Sequence, residues 1–140
     1  MRILVINPGG TSTKISVFEG KKQVFKKNIS HTQADLNDFK TVFDQYQYRK
    51  DLILSILEKN KYPIETFNCV VGRGGLMKPI PGGTYSVNDR MIEDLKNAIN
   101  GEHASNLGAV LAKNIGDEID VPSFVVDPVS VDEFLDVSRI

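Results

Sequence analysis

The segment Asn7-Pro8-Gly9-Gly10-Thr11-Ser12-Thr13-Lys14 packs glycines, hydroxyls and one ammonium into a single turn. That mixture suits a phosphate. Glycines let backbone N–H groups come close to phosphate oxygens, the hydroxyls of Thr11, Ser12 and Thr13 can donate further bonds, and Lys14 adds positive charge. It is not a Walker loop, because that motif needs glycine directly before the lysine and a helix after it, whereas Thr13 precedes Lys14 and a strand pattern follows. A polar hairpin without ligand is the plain alternative. The turn's place at the end of an apolar strand favours a site.

Other residues invite a chemical reading on weaker grounds. Arg73 stands among Gly72, Gly74 and Gly75, so its planar guanidinium can reach a carboxylate or phosphoryl group unobstructed; a surface arginine in a loop is the competing reading. Asp127 precedes Pro128, which holds it extended at a strand end, where it could move a proton or orient a partner, or simply begin a turn. His103, in Gly101-Glu102-His103-Ala104-Ser105-Asn106, could neutralise an anionic substrate or cap a helix. His31 lies in a polar stretch with no evident partner and is expected to be solvated. No histidine pair has the spacing of a zinc site.

The elements that must position these groups are legible as hydrophobic patterns. Ile3 to Ile6 is a continuous apolar run, suited to a strand buried on both faces. Lys14 to Phe18 and Gln23 to Ile29 alternate around Glu19-Gly20-Lys21-Lys22, a hairpin signal, so the chain should open with three antiparallel strands. Apolar residues at Leu52, Ile53, Ile56 and Leu57 predict a helix between Gln45 and Asn60. Asn68 to Gly72 and Ser123 to Val126 read as buried strands, and Arg73 to Gly83 as a loop. Asn88 should cap a helix carrying Met91, Leu95, Ala98 and Ile99, and a further helix should begin near Ser105. Together these patterns predict an α/β domain: a mixed sheet with helices packed on it.

Composition limits the possible roles. At 140 residues the chain fits one domain, and 41% hydrophobic with 25% charged residues is ordinary for a globular protein. Seventeen basic against eighteen acidic residues, a net charge of -1, removes the case for nonspecific nucleic-acid binding. No run is long enough to span a bilayer, and the start lacks a signal-peptide pattern, so a cytoplasmic location is expected. The lone Cys69 should be a core residue. A ribonuclease-H-like nuclease would need acidic metal ligands on its first strand; that strand ends in neutral Asn7.

Taken in order along the chain, Ile6 to Lys14, Phe43-Asp44-Gln45-Tyr46, Val70 to Leu76, His103-Ala104-Ser105-Asn106-Leu107-Gly108 and Val126-Asp127-Pro128-Val129 resemble the butyrate kinases of the acetate kinase family. The resemblance implies a ribonuclease-H-like domain of the sugar kinase, heat-shock protein and actin type, the first of two, with residues 1–140 as that domain and the nucleotide-binding second domain absent. It implies transfer of the γ-phosphoryl of ATP to butyrate or another short-chain carboxylate, with Mg2+, and a protein that is inactive without its second half. Asn7 would help hold the magnesium-phosphate end, Thr11, Ser12, Thr13 and Lys14 would line the phosphates, Arg73 and His103 would bind the carboxylate, and Asp127 would join Arg73 in catalysis. A carboxylate is already ionised at neutral pH, so positioning and charge neutralisation should outweigh general-base chemistry. Asp127 would then orient Arg73. One departure is Gly10, where the family usually has serine, and one hydroxyl donor is lost. The full-length enzyme is expected to be a homo-oligomer binding neither nucleic acid nor membrane. The rival readings are a kinase preferring acetate, propionate or a branched acid, and a noncatalytic anion-binding module on the same fold.

Overall fold

A computed structural model describes residues 1–73, 84–86, 104 and 107–126; for 84–86 the description is of the backbone. Among these residues six strands form one sheet: β1 (Arg2–Pro8), β2 (Ser12–Glu19), β3 (Lys22–Ser30), β4 (Cys69–Arg73), β5 (Thr84–Ser86) and β6 (Ser123–Val126), in the order β3-β2-β1-β4-β6-β5. Pairing is antiparallel across β1, β2 and β3 and parallel from β1 to β4 to β6, with β5 antiparallel to β6. The expected antiparallel opening and mixed sheet are both present. β5 was not foreseen, because Thr84–Ser86 is too short to show a period of two.

The helices among the described residues are α1 (Gln33–Leu36), α2 (Tyr46–Lys59) and α3 (Leu107–Ile119). The expected helix between Gln45 and Asn60 is α2, preceded by a 3-10 turn at Phe43–Gln45. Neither long helix stops on glycine: Lys61 and Asp120 take positive φ after α2 and α3, a task glycine does more cheaply. The helix expected from Asn88 lies outside the described residues, as does the segment 74–83.

Alternation along the strands separates two apolar layers. Leu4, Ile6, Ile15, Val17 and Val70 pack with Ile53 and Leu57 of α2 and Leu107, Leu111 and Ile115 of α3. Ile3, Val71, Val126 and Cys69 form the second cluster on the opposite face. Cys69 is thus a core residue, as its apolar neighbours suggested, and burial raises its thiol to about 11. Lys50 of α2, itself buried, donates to Asn114 Oδ1 of α3 at 2.7 Å and ties the two helices together.

One close approach positions the site. A Cβ on Gly72 would stand 2.1 Å from the Gly108 carbonyl oxygen, and one on Gly108 would stand 2.8 Å from that of Arg73. The backbones of β4 and α3 therefore touch with no side chain between them, and any larger residue at Gly72 would push the helix off the sheet. This contact lies at the end of β4, one residue before the Arg73 side chain.

Candidate functional site

Three of the residues singled out by their chemistry come together at one end of the sheet. Asn7 pairs with Lys14 across β1 and β2. Ile6 pairs with Gly72 in the parallel ladder, so Asn7 and Arg73 follow it as the next residues of adjacent strands. Counting by twos from Ile3 on β1 and from Cys69 on β4, both of the second apolar cluster, places Asn7 and Arg73 on that same face of the sheet. Lys14 alternates with buried Thr13 and Ile15 and is exposed on it as well. An amide, an ammonium and a guanidinium thus share one face at the carboxyl ends of β1 and β4, where ligands of parallel sheets collect. The Nε of Arg73 is buried and has no hydrogen-bond partner among the described residues, which leaves a donor for an acceptor still to come. Asp127 and His103 lie outside the described residues; Arg73 pairs with Val126, the residue before Asp127.

The turn between β1 and β2 divides its hydroxyls. Thr11 is exposed and Ser12 half-buried, in keeping with a phosphate-facing role, but Thr13 is fully buried. Its Oγ1 lies 2.7 Å from His31 Nε2 and accepts from Arg49 Nη1 at 3.1 Å. The sequence reading set Thr13 beside Thr11 and Ser12 at the phosphate; the structure turns it inward, because strand alternation sends neighbouring residues to opposite faces. His31 also needs correction. It is 5% exposed rather than solvated, stacked edge-on against Tyr48 and bonded to Thr13. Burial, then the nearby Arg49 cation, lower its pKa, with Asp35 opposing, so the ring is neutral at pH 7.

Arg49 is the residue that sequence reasoning missed. It is 0% exposed and stands beneath the turn on α2. Its Nη1 donates to Gly9 O at 2.8 Å and Ser12 O at 3.0 Å, and its Nη2 to Gly10 O at 3.2 Å. Gln45, one helical turn earlier, fixes the fork from the other side through Oε1, at 2.9 Å from Nη2 and 3.2 Å from Nε. That contact gives a task to the Phe43-Asp44-Gln45-Tyr46 motif, which carried resemblance but no role. Every one of these acceptors is neutral, and Arg49 makes no ion pair among the described residues. Desolvation lowers its pKa, yet a guanidinium remains charged under any physiological condition. The one signal available in the sequence was an arginine on the apolar side of a helix, four residues from a glutamine.

A metal cage of protein carboxylates is not among the described residues, where no cluster of three or more His, Cys, Asp or Glu occurs. The donor set of Asn7, Lys14 and Arg73 suits anionic oxygens, and the Asn7 amide oxygen could serve as one neutral ligand for a hard cation.

No protein-family model matches the chain. A probable butyrate kinase from Clostridium botulinum (strain Eklund 17B / Type B) is 53% identical over 139 residues, which is 99% of this chain and 39% of that protein. The chain therefore spans about two fifths of the length of the curated relative it matches, and the resemblance carried by the motifs extends over nearly all of its own. Among solved structures, acetate kinase from Entamoeba histolytica superposes with a TM-score of 0.56 at 14% identity, covering 91% of this chain and 36% of that one. RuvC from T. thermophilus, in complex with a Holliday junction substrate, gives 0.51 at 15% identity over 95% of this chain and 68% of that one. At such identities the likeness is one of fold, and the fold is the ribonuclease-H-like, actin-like one expected. Among the described residues no helix is long and apolar enough to cross a membrane.

Proposed function

We propose that the chain is the first domain of a short-chain carboxylate kinase of the acetate kinase family, transferring the γ-phosphoryl of ATP to butyrate. The observation that carries this reading is the convergence of Asn7, Lys14 and Arg73 on one face at one end of the sheet, in a chain 53% identical to a probable butyrate kinase. Arg73, whose buried Nε has no partner among the described residues, takes the carboxylate, and a planar fork is the right shape for it. Thr11, Ser12 and Lys14 face the phosphates. Asn7 would offer an oxygen to Mg2+ arriving with the nucleotide, and the ion would supply charge neutralisation at the phosphoryl group. His103 and Asp127 complete the site, the first toward the acid and the second as a brace for Arg73.

The reaction asks little covalent chemistry of the protein. The acceptor is already an anion, so the task is to hold two negatively charged reactants in line and offset their repulsion, which cationic and amide donors do without proton transfer. The test is acyl hydroxamate formation from Mg-ATP by the longest native polypeptide that carries these residues, across acids of increasing chain length. A maximum at butyrate supports the reading. A maximum at acetate, propionate or a branched acid moves the specificity, and nucleotide binding without acyl phosphate from any acid returns the protein to the anion-binding module.

A further inference from the structure

The turn between β1 and β2 is shaped by a cation that no ligand of the proposed reaction touches. Each peptide unit is planar and none of those described is cis, so a carbonyl drawn one way sends the N–H of the following residue the opposite way. Arg49 draws the Gly9 and Gly10 carbonyls into the protein. The N–H groups of Gly10 and Thr11 therefore face outward, at residues that are themselves exposed, and neither donates a backbone hydrogen bond among the described residues. Adjacent outward amides form a small anion-binding concavity.

We infer that Arg49 is a positioning residue that builds this concavity, and that its own charge is balanced only when an anion occupies it. The inference rests on the phosphoryl reading of the turn and extends it to a residue outside the site. A buried guanidinium bonded only to neutral oxygens is costly, since nothing among its described partners offsets the charge taken out of water. An anion at the outward amides is separated from the guanidinium by little more than a peptide layer, in surroundings that screen poorly. The fork also does what a lysine ammonium cannot: it reaches Gly9, Gly10, Ser12, Thr13 and Gln45 from one rigid plane.

The experiment is titration of the chain with inorganic phosphate and tripolyphosphate, followed by amide chemical shifts. Gly10 and Thr11 should move most, while Gly20, whose N–H is held by Met1 O at 2.8 Å, serves as an internal reference. Arg49→Lys should weaken binding about tenfold or more, and Gln45→Leu, which leaves the charge but frees the fork, should weaken it less. Ile53→Val, a core truncation on the same helix, controls for lost stability and should leave affinity unchanged. Affinity in Arg49→Lys equal to the native value, or lowered no further than in Ile53→Val, overturns the inference. So do native shifts that fall elsewhere and spare Gly10 and Thr11. Absence of any shift in the native chain removes the phosphoryl reading itself. If Arg49→Lys does not fold, the native shifts and Gln45→Leu decide.

Discussion

β2 is joined to its two neighbours by turns built on opposite principles. At one end, Gly20-Lys21 closes the hairpin to β3 in two residues, with positive φ at Gly20 as a II′ turn requires. At the other, Gly9-Gly10-Thr11 has no positive φ and is held from beneath by Arg49, 36 to 40 residues away in sequence. The first turn is closed by local backbone geometry, with its Gly20 N–H held by Met1 O at 2.8 Å. The second has its Gly9, Gly10 and Ser12 carbonyls held by a distant side chain, which leaves the Gly10 and Thr11 amides for something else. Both turns close on their own backbone, the second through Gly9 N–H to Ser12 O at 2.7 Å; what differs is that the second also has its Gly9 and Gly10 carbonyls turned inward by a side chain from another element.

The contrast can be broken most severely at Arg49. Arg49→Met leaves the Gly9 and Gly10 carbonyls and the Gln45 amide oxygen without their donor and removes one of the two donors to Ser12 O, and stability should fall by roughly 3 kcal/mol in urea unfolding, together with phosphate affinity. Gly20→Ala acts on the other turn alone. It forces an alanine into the left-handed region and should lower stability by roughly 1 kcal/mol, with phosphate-induced shifts at Gly10 and Thr11 unchanged.

pH gives a smaller, more selective probe. His31 supports the site turn through Thr13, and its folded pKa lies below the unfolded value of 6.5, so the unfolded chain takes up the proton first. The His31 contribution is therefore fully present above 6.5 and lost as pH falls below it through the folded pKa. Urea midpoints should decline on the acid side of 6.5, and His31→Gln should flatten that part of the profile. The smallest change in stability is expected for Gly10→Ser. A Cβ there meets nothing within 4 Å and φ is not positive, so stability should stay within about 0.5 kcal/mol while the new hydroxyl strengthens phosphate binding in the same titration. Weaker binding would mean that the serine side chain blocks the amides.

The hairpin, the α2 span and the strands at Cys69–Arg73 and Ser123–Val126 were readable because their signals are local: a glycine in a short turn, a helical repeat, an apolar run. The ligand class proposed for the site turn rests on equally local signals, the hydroxyls, glycines and lysine that stand side by side in it. His31 and Thr13 were misread for a common reason. Nothing near His31 in the chain reveals that β3 ends beside the inward face of β2, and nothing in Thr11-Ser12-Thr13 says which hydroxyl strand alternation will bury.

What the amino-acid order determined by itself was the set of elements and the groups at their ends, because periodicity and turn chemistry act over a few residues. What only the tertiary structure decided was which of those groups meet. Parallel pairing of β1 with β4 set Asn7 beside Arg73, contact between Gly72 and Gly108 seated α3 against that strand end, and α2 carried Arg49 beneath the turn. Each of these joins residues tens of positions apart, and hydrogen bonds and close packing at that range exist only once the sheet and helices have assembled around one core.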